Sequence, residues 1–225
     1  MSGSSTLWYF ENFSLFDVLT TEDKIKIDSL AEMTNYGKKS VIYLQDAKPE
    51  KVYILKKGKV KISRYSDKGK ELILQILNPG EIFGEASITG APGNEYAEAL
   101  EDSVICYLDG DVFRSFMEDN PEFNRQITKL IGFKLQKVSS QLESLCFKTS
   151  EERIRLFIKE LALNENGNKN HNGTISANLK LTHEDIGKLT FTSRQKVTSI
   201  LSYLEKNNII RYNRKKIEIL DIDRL

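Results

Sequence analysis

The sequence predicts an α+β chain: an N-terminal β-roll of the jelly-roll kind, one long helix, and a C-terminal winged helix-turn-helix. Three observations carry that expectation. Between residues 40 and 108, six short β-like runs follow one another at close spacing. Between residues 121 and 147, apolar residues recur at helical steps. Between residues 181 and 210, two short amphipathic stretches flank a tight turn, and a hairpin with a basic tip follows.

A chain of 225 residues is long enough for one large or two ordinary domains. The expected division is 1–120 for the β-roll, 121–148 for the long helix and 149–225 for the winged helix-turn-helix. The net charge of +1 conceals an asymmetry. Residues 149–225 hold 14 Lys and Arg against 10 Asp and Glu, a balance of +4, and the preceding residues carry −3. The basic part is the one with the helix-turn-helix, which suits a polyanionic partner. No run of 18 apolar residues and no signal-peptide pattern is present, so a cytoplasmic protein without a membrane partner is expected. Two cysteines, Cys106 and Cys146, are too few for a disulfide scaffold or a four-thiolate cluster. Both are expected to pack as small apolar residues.

The first six residues are small and polar, and residues 7–19 are rich in aromatics (Trp8, Phe10, Phe13, Phe16). Thr21-Glu22-Asp23 opens a short helix with Ile25, Ile27 and Leu30, expected to cap a sheet. The β-like runs are Val41–Tyr43, 52–55, 60–65, 72–77, 96–100 and 104–108. Lys57-Gly58, Asp67-Lys68-Gly69 and Asn78-Pro79-Gly80 separate them, the last fitting a type II turn. On the long helix Ile127, Ile131, Leu135, Val138, Leu142 and Leu145 step by 4, 4, 3, 4 and 3, close to a heptad seam through which two copies would pair. The alternative is that the stripe packs on the β-roll. A further helix starts near Ser150 with Ile154, Phe157, Ile158 and Leu161, and residues 164–173 read as a polar loop.

Thr182 with Asp185 makes a capping box at the start of the first short helix, and Ile186 and Leu189 form its packing face. Thr192 and Gln195 suggest the same cap for the second. There Val197, Ile200, Leu201 and Leu204 form an apolar stripe, while Arg194, Gln195, Lys196, Thr198 and Ser199 make an outer face free of acid. A helix with that face, held by a partner helix, is what a major groove admits. Two β-like runs, 209–210 and 217–219, bracket a basic tip with Arg214 and Lys215, a wing that would grip phosphate.

With this order of elements, and with Gly80-Glu81-Ile82-Phe83-Gly84-Glu85 and Thr192-Ser193-Arg194-Gln195-Lys196-Val197, the chain resembles the Crp/Fnr family (cAMP receptor protein and fumarate-nitrate regulator) of bacterial transcription factors. The resemblance spans nearly the whole chain. It implies a cyclic-nucleotide-binding-like β-roll and a homodimer joined through residues 121–147. Double-stranded DNA and RNA polymerase would be the partners. Each recognition helix, 194–206, would enter a major groove of a palindromic operator, in the geometry general to helix-turn-helix dimers. The DNA-contacting set it implies is Thr182, His183, Thr192, Ser193, Arg194, Gln195, Lys196, Thr198, Ser199, Arg214 and Lys215. Arg194, Gln195 and Ser199 fall where family members read bases. Gln195 stands where the best-known member has Glu, and Ser199 where it has Arg, so that member's operator does not transfer. Phe191 occupies a turn position where many members carry Gly.

The family's nucleotide pocket maps onto Gly84, Glu85, Gly93, Asn94, Val138 and Ser139. Gly84-Glu85 is kept, whereas Gly93-Asn94 replaces an Arg-Ser pair and Val138 replaces a Thr. No Arg or Lys occurs from residue 80 to 108, which would leave a buried cyclic phosphate without a counter-charge. Cyclic nucleotide is therefore not expected as a cofactor. An iron–sulfur cluster would need cysteines before Cys106, and haem or another metal would need histidines on the β-roll. The only histidines are His171 and His183, so neither centre is expected. Two other readings remain: a cyclic-nucleotide-binding regulatory module without DNA, and a cupin-like β-roll enzyme. The basic wing disfavours the first, and the lack of a ligand cluster or nucleophile–base pair disfavours the second.

Overall fold

The computed structural model describes residues 14–45, 50–90, 93–164, 168–169, 174–178, 181–213 and 216–225. The chain divides into two compact units, residues 1–135 and 136–225, with the long helix running across the division.

The first unit contains two four-stranded antiparallel sheets. One has the order β1 (Glu32–Tyr36), β8 (Ser103–Asp109), β3 (Lys51–Lys57), β6 (Ile82–Phe83). The other has the order β2 (Val41–Tyr43), β7 (Tyr96–Ala99), β4 (Val60–Tyr65), β5 (Glu71–Leu77). All six runs expected from sequence are strands. Strand β1 was not among them, because Glu-Met-Thr-Asn-Tyr shows no apolar alternation. Successive residues of a strand face opposite ways. Val52 and Ile54 of β3, with Cys106 and Leu108 of β8, thus enter a helix-covered core, while Leu55 and Ile105 enter the core between the sheets. The β3–β8 sheet is buried on both sides, which accounts for its near-continuous apolar character. The turn at Pro79-Gly80 is as expected: Gly80 has φ +94 and Glu81 N donates to Asn78 O at 3.2 Å.

The helix-covered core is made by α1 (Thr21–Leu30), α2 (Ala86–Thr89), α3 (Gly110–Asp119) and the start of α4 (Pro121–Phe147). Helix α1 opens at Thr21 as expected, with Thr20 as its cap and Asp23 completing the capping box. Only Ile27 of its apolar residues is buried, and Ile25 and Leu30 are exposed. Rings of Phe16, Phe113 and Phe116 surround Phe123 with centroids 5.4–5.7 Å away. Phe123 and Ile127 bury the first turns of α4 in this core. From Ile131 onward the seam residues Ile131, Leu135, Val138, Leu142 and Leu145 are 37–67% exposed, so the stripe is not consumed within the described chain. Cys106 is buried as expected. Cys146 is exposed, contrary to expectation, because its face of α4 finds no cover.

In the second unit α5 (Ser150–Asn164) begins behind a Thr149–Glu152 capping box. It packs with α6 (His183–Leu189), α7 (Arg194–Lys206) and a sheet of order β11 (Ile210–Tyr212), β12 (Lys216–Ile219), β10 (Ile175–Asn178), β9 (Asn168–Lys169). Strand β9 lies inside the stretch expected to be loop, and β10 follows it. Strand β9 has no strand signature, whereas β10 alternates Ile175 and Ala177 with Ser176 and Asn178; β10 pairs with β12 and carries β9 on its other edge.

Removing the ring at the centre of the aromatic cluster tests how α4 is anchored. Phe123→Ala should lower the stability of the first unit by about 3–5 kcal/mol in urea unfolding, as expected for deleting a buried aromatic, and should leave the second unit's transition in place.

Candidate nucleic-acid interface and effector pocket

The helix-turn-helix is built from caps outward. Thr182 caps α6: its hydroxyl accepts from Asp185 N at 3.1 Å, and Asp185 accepts from Thr182 N at 3.0 Å. The cap of α7 is Ser193, accepting from Lys196 N at 3.2 Å, rather than Thr192 as the sequence suggests. The reason lies in the turn. Thr192 N donates to Gly187 O at 2.8 Å while Phe191 sits at φ +54, which is a Schellman ending of α6 with Phe in the left-handed position. The chain is thereby committed to the α6 terminus through Thr192, and α7 starts one residue later. Gly187 permits this closure, since a Cβ there would lie 2.8 Å from Thr192 O. At the end of α7, Asn208 takes the same left-handed position at φ +53, which Asn tolerates far better than Phe.

Arg153, on α5, accounts for the persistence of the Phe191 conformation. Its Nε donates to Thr190 O at 2.9 Å and its Nη2 to Phe191 O at 3.2 Å. Its Nη1 donates to Lys148 O at 2.7 Å, at the junction between α4 and α5. A rigid guanidinium fork satisfies three carbonyls where helices end. Nothing local in the sequence marks Arg153 as a clamp on this turn, because Thr190 and Phe191 lie 37 and 38 residues away.

Val197, Ile200, Leu201 and Leu204 are buried against Ile154, Ile158 and Ile186, which fixes the rotation of α7. Arg194, Gln195, Lys196, Thr198 and Ser199 are all exposed on its other side. His183 does not stand free: its Nδ1 lies 2.9 Å from Thr198 Oγ1, and its ring is 5.9 Å from that of Tyr212. Thr198 in turn donates to Arg194 O at 2.9 Å, so its hydroxyl is engaged by the helix. Strands β11 and β12 form the wing, with Arg211 opposite Glu218 and Lys216 Nζ 2.7 Å from Glu218. Arg214 and Lys215 at its tip, like His171, lie outside the described residues.

Gly84 has φ +81, and a Cβ there would lie 2.7 Å from Lys51 O, so only Gly fits. Glu85 forms an ion pair with Lys134 of α4, whose Nζ also donates to Ile82 O at 2.7 Å. Asn94 O accepts from Arg64 Nε at 2.8 Å, and Gly93 is half-buried beside it. Val138 and Ser139 are exposed on α4. Counter-charges therefore do reach this region, from β4 and α4 rather than from residues 80–108. The expectation of a pocket without cations is corrected, because sheet pairing and helix docking bring Arg64 and Lys134 in from outside that stretch. Burial, and next the charge of Glu85, push the Glu95 carboxyl up, while Arg64 and Lys134 draw it back. Tyr43, whose hydroxyl is pushed up first by burial and then by Glu95 and Glu85, has no hydrogen-bond partner for that hydroxyl among the described residues. Among the described residues no group of three or more His, Cys, Asp or Glu is placed to hold a metal.

The family model for the cyclic nucleotide-binding domain matches residues 33–120, and that for the Crp-like helix-turn-helix domain matches residues 152–225. The chain belongs to the Crp/Fnr family. It is similar to the CRP-like cAMP-activated global transcriptional regulator of Mycobacterium tuberculosis, with 28% identity over 82% of each chain. Similarity to the cAMP-activated global transcriptional regulator CRP of Haemophilus influenzae is also 28%, again over 82% of each. A CooA mutant from Carboxydothermus hydrogenoformans superposes with a TM-score of 0.80 at 27% identity, covering 95% of this chain and 94% of that one. A Crp/Fnr protein of this kind is a transcription regulator with a helix-turn-helix domain. No helix among the described residues is long and apolar enough to cross a membrane.

The role of Arg153 is open to a double-mutant cycle. Arg153→Ala should cost about 2 kcal/mol of second-unit stability, the range for hydrogen bonds from a charged donor. Phe191→Gly should recover part of that loss in the Arg153→Ala background, because Gly holds the left-handed turn unaided.

Proposed function

We propose that this Crp/Fnr regulator acts as a homodimer that binds a palindromic operator with paired recognition helices. The observation that carries the reading is the division of α7 into a buried apolar stripe and an exposed face that holds no acid from Arg194 to Ser199. The stripe fixes which side faces outward, and over its first six residues the outward side holds a guanidinium, an ammonium, an amide and two hydroxyls. Arg194 is the base reader of the set, able to take the O6 and N7 of guanine in a bidentate contact, with Gln195 suited to adenine. Lys196, Ser199, Ser193 and Thr192 serve the flanking bases and phosphates, and Thr182 sits at the positive end of α6 where phosphate is favoured. His183 and Thr198 act together, the imidazole steadying the hydroxyl. Arg214 and Lys215 add phosphate contacts from the wing.

Dimerisation through residues 121–147 follows from the exposed seam. Five apolar residues at heptad-like steps on a free helix are a large exposed stripe for a monomer, and a second copy covers it with the same residues. Residues 1–120 form the effector-sensing domain, 121–148 the dimerisation helix and 149–225 the DNA-binding domain. The protein works in the cytoplasm, and RNA polymerase is the partner through which a bound dimer acts on transcription. The cAMP named for the curated relatives does not carry over, since Gly93, Asn94 and Val138 replace polar groups of the family's nucleotide pocket and Glu85 is already paired.

Sequencing the duplexes selected by the purified protein should return an inverted repeat with half-sites about one helical turn apart. Arg194→Ala should then cost about 1–3 kcal/mol on the selected site and much less on random duplex; equal losses on both would remove Arg194 as a base reader. Leu142→Glu should convert the dimer to a monomer in sedimentation and abolish operator binding with it.

A further inference from the structure

The ion pair inside the β-roll has no part in the DNA-facing reading. Lys134 lies on the same side of α4 as Phe123, Ile127 and Leu130, at steps of 4, 3 and 4. Phe123 and Ile127 are fully buried in the helix-covered core and Leu130 packs against it. The direction of the Lys134 side chain is thus set by core packing one to three turns earlier. Its ammonium meets two acceptors, the Glu85 carboxylate and the Ile82 carbonyl, both beside the glycine that allows a close approach at residue 84.

We propose that Lys134 is a specificity-determining residue, a tethered ammonium that occupies Glu85 and shuts the β-roll pocket to cyclic nucleotides. The proposal rests on reading the first unit as an effector-sensing domain. A ribose hydroxyl offers Glu85 one neutral hydrogen bond, whereas Lys134 offers a charge-assisted one, roughly twice as strong. The lysine is part of the chain and surrenders no translational freedom in binding, as a free ligand must. Displacing it costs the half-buried ammonium its carboxylate hydrogen bond and leaves it the Ile82 carbonyl and the charge of Glu95, which is unfavourable. Charge balance acts in the same direction. Glu85 and Glu95 match Arg64 and Lys134, so the ionised set is neutral without a ligand. Arg64 is already bonded to Asn94 O. An arriving cyclic phosphate would add a net negative charge and would have to separate Lys134 from Glu85 first.

The test is calorimetric titration of the full-length protein with 3′,5′-cyclic AMP, in the absence of DNA. Wild type and Lys134→Arg, which keeps the charge, should show no binding. Lys134→Met and Lys134→Gln should each bind at least about tenfold more tightly than wild type. Adding Glu85→Gln to Lys134→Met should erase the gain, since the freed carboxylate is what the ribose uses. The proposal is overturned if wild type binds as tightly as Lys134→Met, if neither substitution raises affinity, or if the gain survives Glu85→Gln. Since no DNA is present, a wild-type protein that selects no duplex would sink the regulator reading and leave this one standing.

Discussion

The long helix α4 has to satisfy two different surroundings with one periodic sequence, and the rest of the chain is arranged around that requirement. Its first turns belong to the β-roll. Phe123 is ringed by three other phenylalanines, and Ile127 lies with it in the helix-covered core. Beyond Ile131 the apolar residues drift round the helix and emerge. A helix of 3.6 residues per turn carrying a repeat nearer 3.5 must turn its stripe gradually, so one continuous pattern serves an intramolecular contact first and a self-contact afterwards. Lys134 falls at the changeover. Its position on the docked side, one step past Leu130, is what allows a charged residue to end in the β-roll while its neighbours Phe133 and Leu135 are exposed.

The DNA-facing end depends on a different kind of constraint, the closure between α6 and α7. Gly187 lets Thr192 approach, the Schellman bond ends α6, and Phe191 takes a conformation that a bulky side chain disfavours by about 1 kcal/mol or more. That strain sits three residues before Arg194, the first residue of the recognition helix. It is held by Arg153, which also reaches the junction after α4. The buried stripe of α7 determines which side is presented; the turn determines where the helix begins. Moving the cap from Thr192 to Ser193 changes the start by one residue, about 100° of helical phase for any contact inferred from the cap alone.

Much of this architecture was legible in the sequence because it is written in short-range patterns. The six runs of the β-roll, the Pro79-Gly80 turn, the capping box at Thr182 and the stripe Val197, Ile200, Leu201 and Leu204 all depend on residues a few positions apart. The outer face of α7 followed from the stripe. What was not legible depends on partners. Strands β1 and β9 have no alternation of their own and form because β8 pairs with β1 and β10 with β9. The helix Gly110–Asp119 was passed over, although Asp109 caps it with bonds to Asp111 N and Val112 N and it supplies Phe113 and Phe116 to the core. Arg153 lies nearly forty residues from the Thr190 and Phe191 carbonyls it holds. Cys146 differs for a related reason: its residue type favours burial, but the helix face that carries it is left open.

The effector region shows the same limit most sharply. Searching residues 80–108 for a cation treats the pocket as a segment, whereas a β-roll builds its interior from strands distant in sequence and from the helix that closes it. Arg64 arrives on β4, two strands from Glu85 in the order of the chain. Lys134 arrives 49 residues after its partner. Residues 80–108 supply no positive charge, but Arg64 and Lys134 supply it from outside that segment. The distinction matters physically, because cations from other elements do not simply restore an anion site. They come already bonded, Arg64 to a backbone carbonyl and Lys134 to a carboxylate, and a ligand must be weighed against those bonds rather than against an empty cavity. Gly84 keeps the room for a close approach, and Glu85 keeps the acceptor. Whether a small molecule can use them is decided by the free energy of parting Lys134 from Glu85, a quantity set by packing on α4 and not by the residues of the β-roll motif.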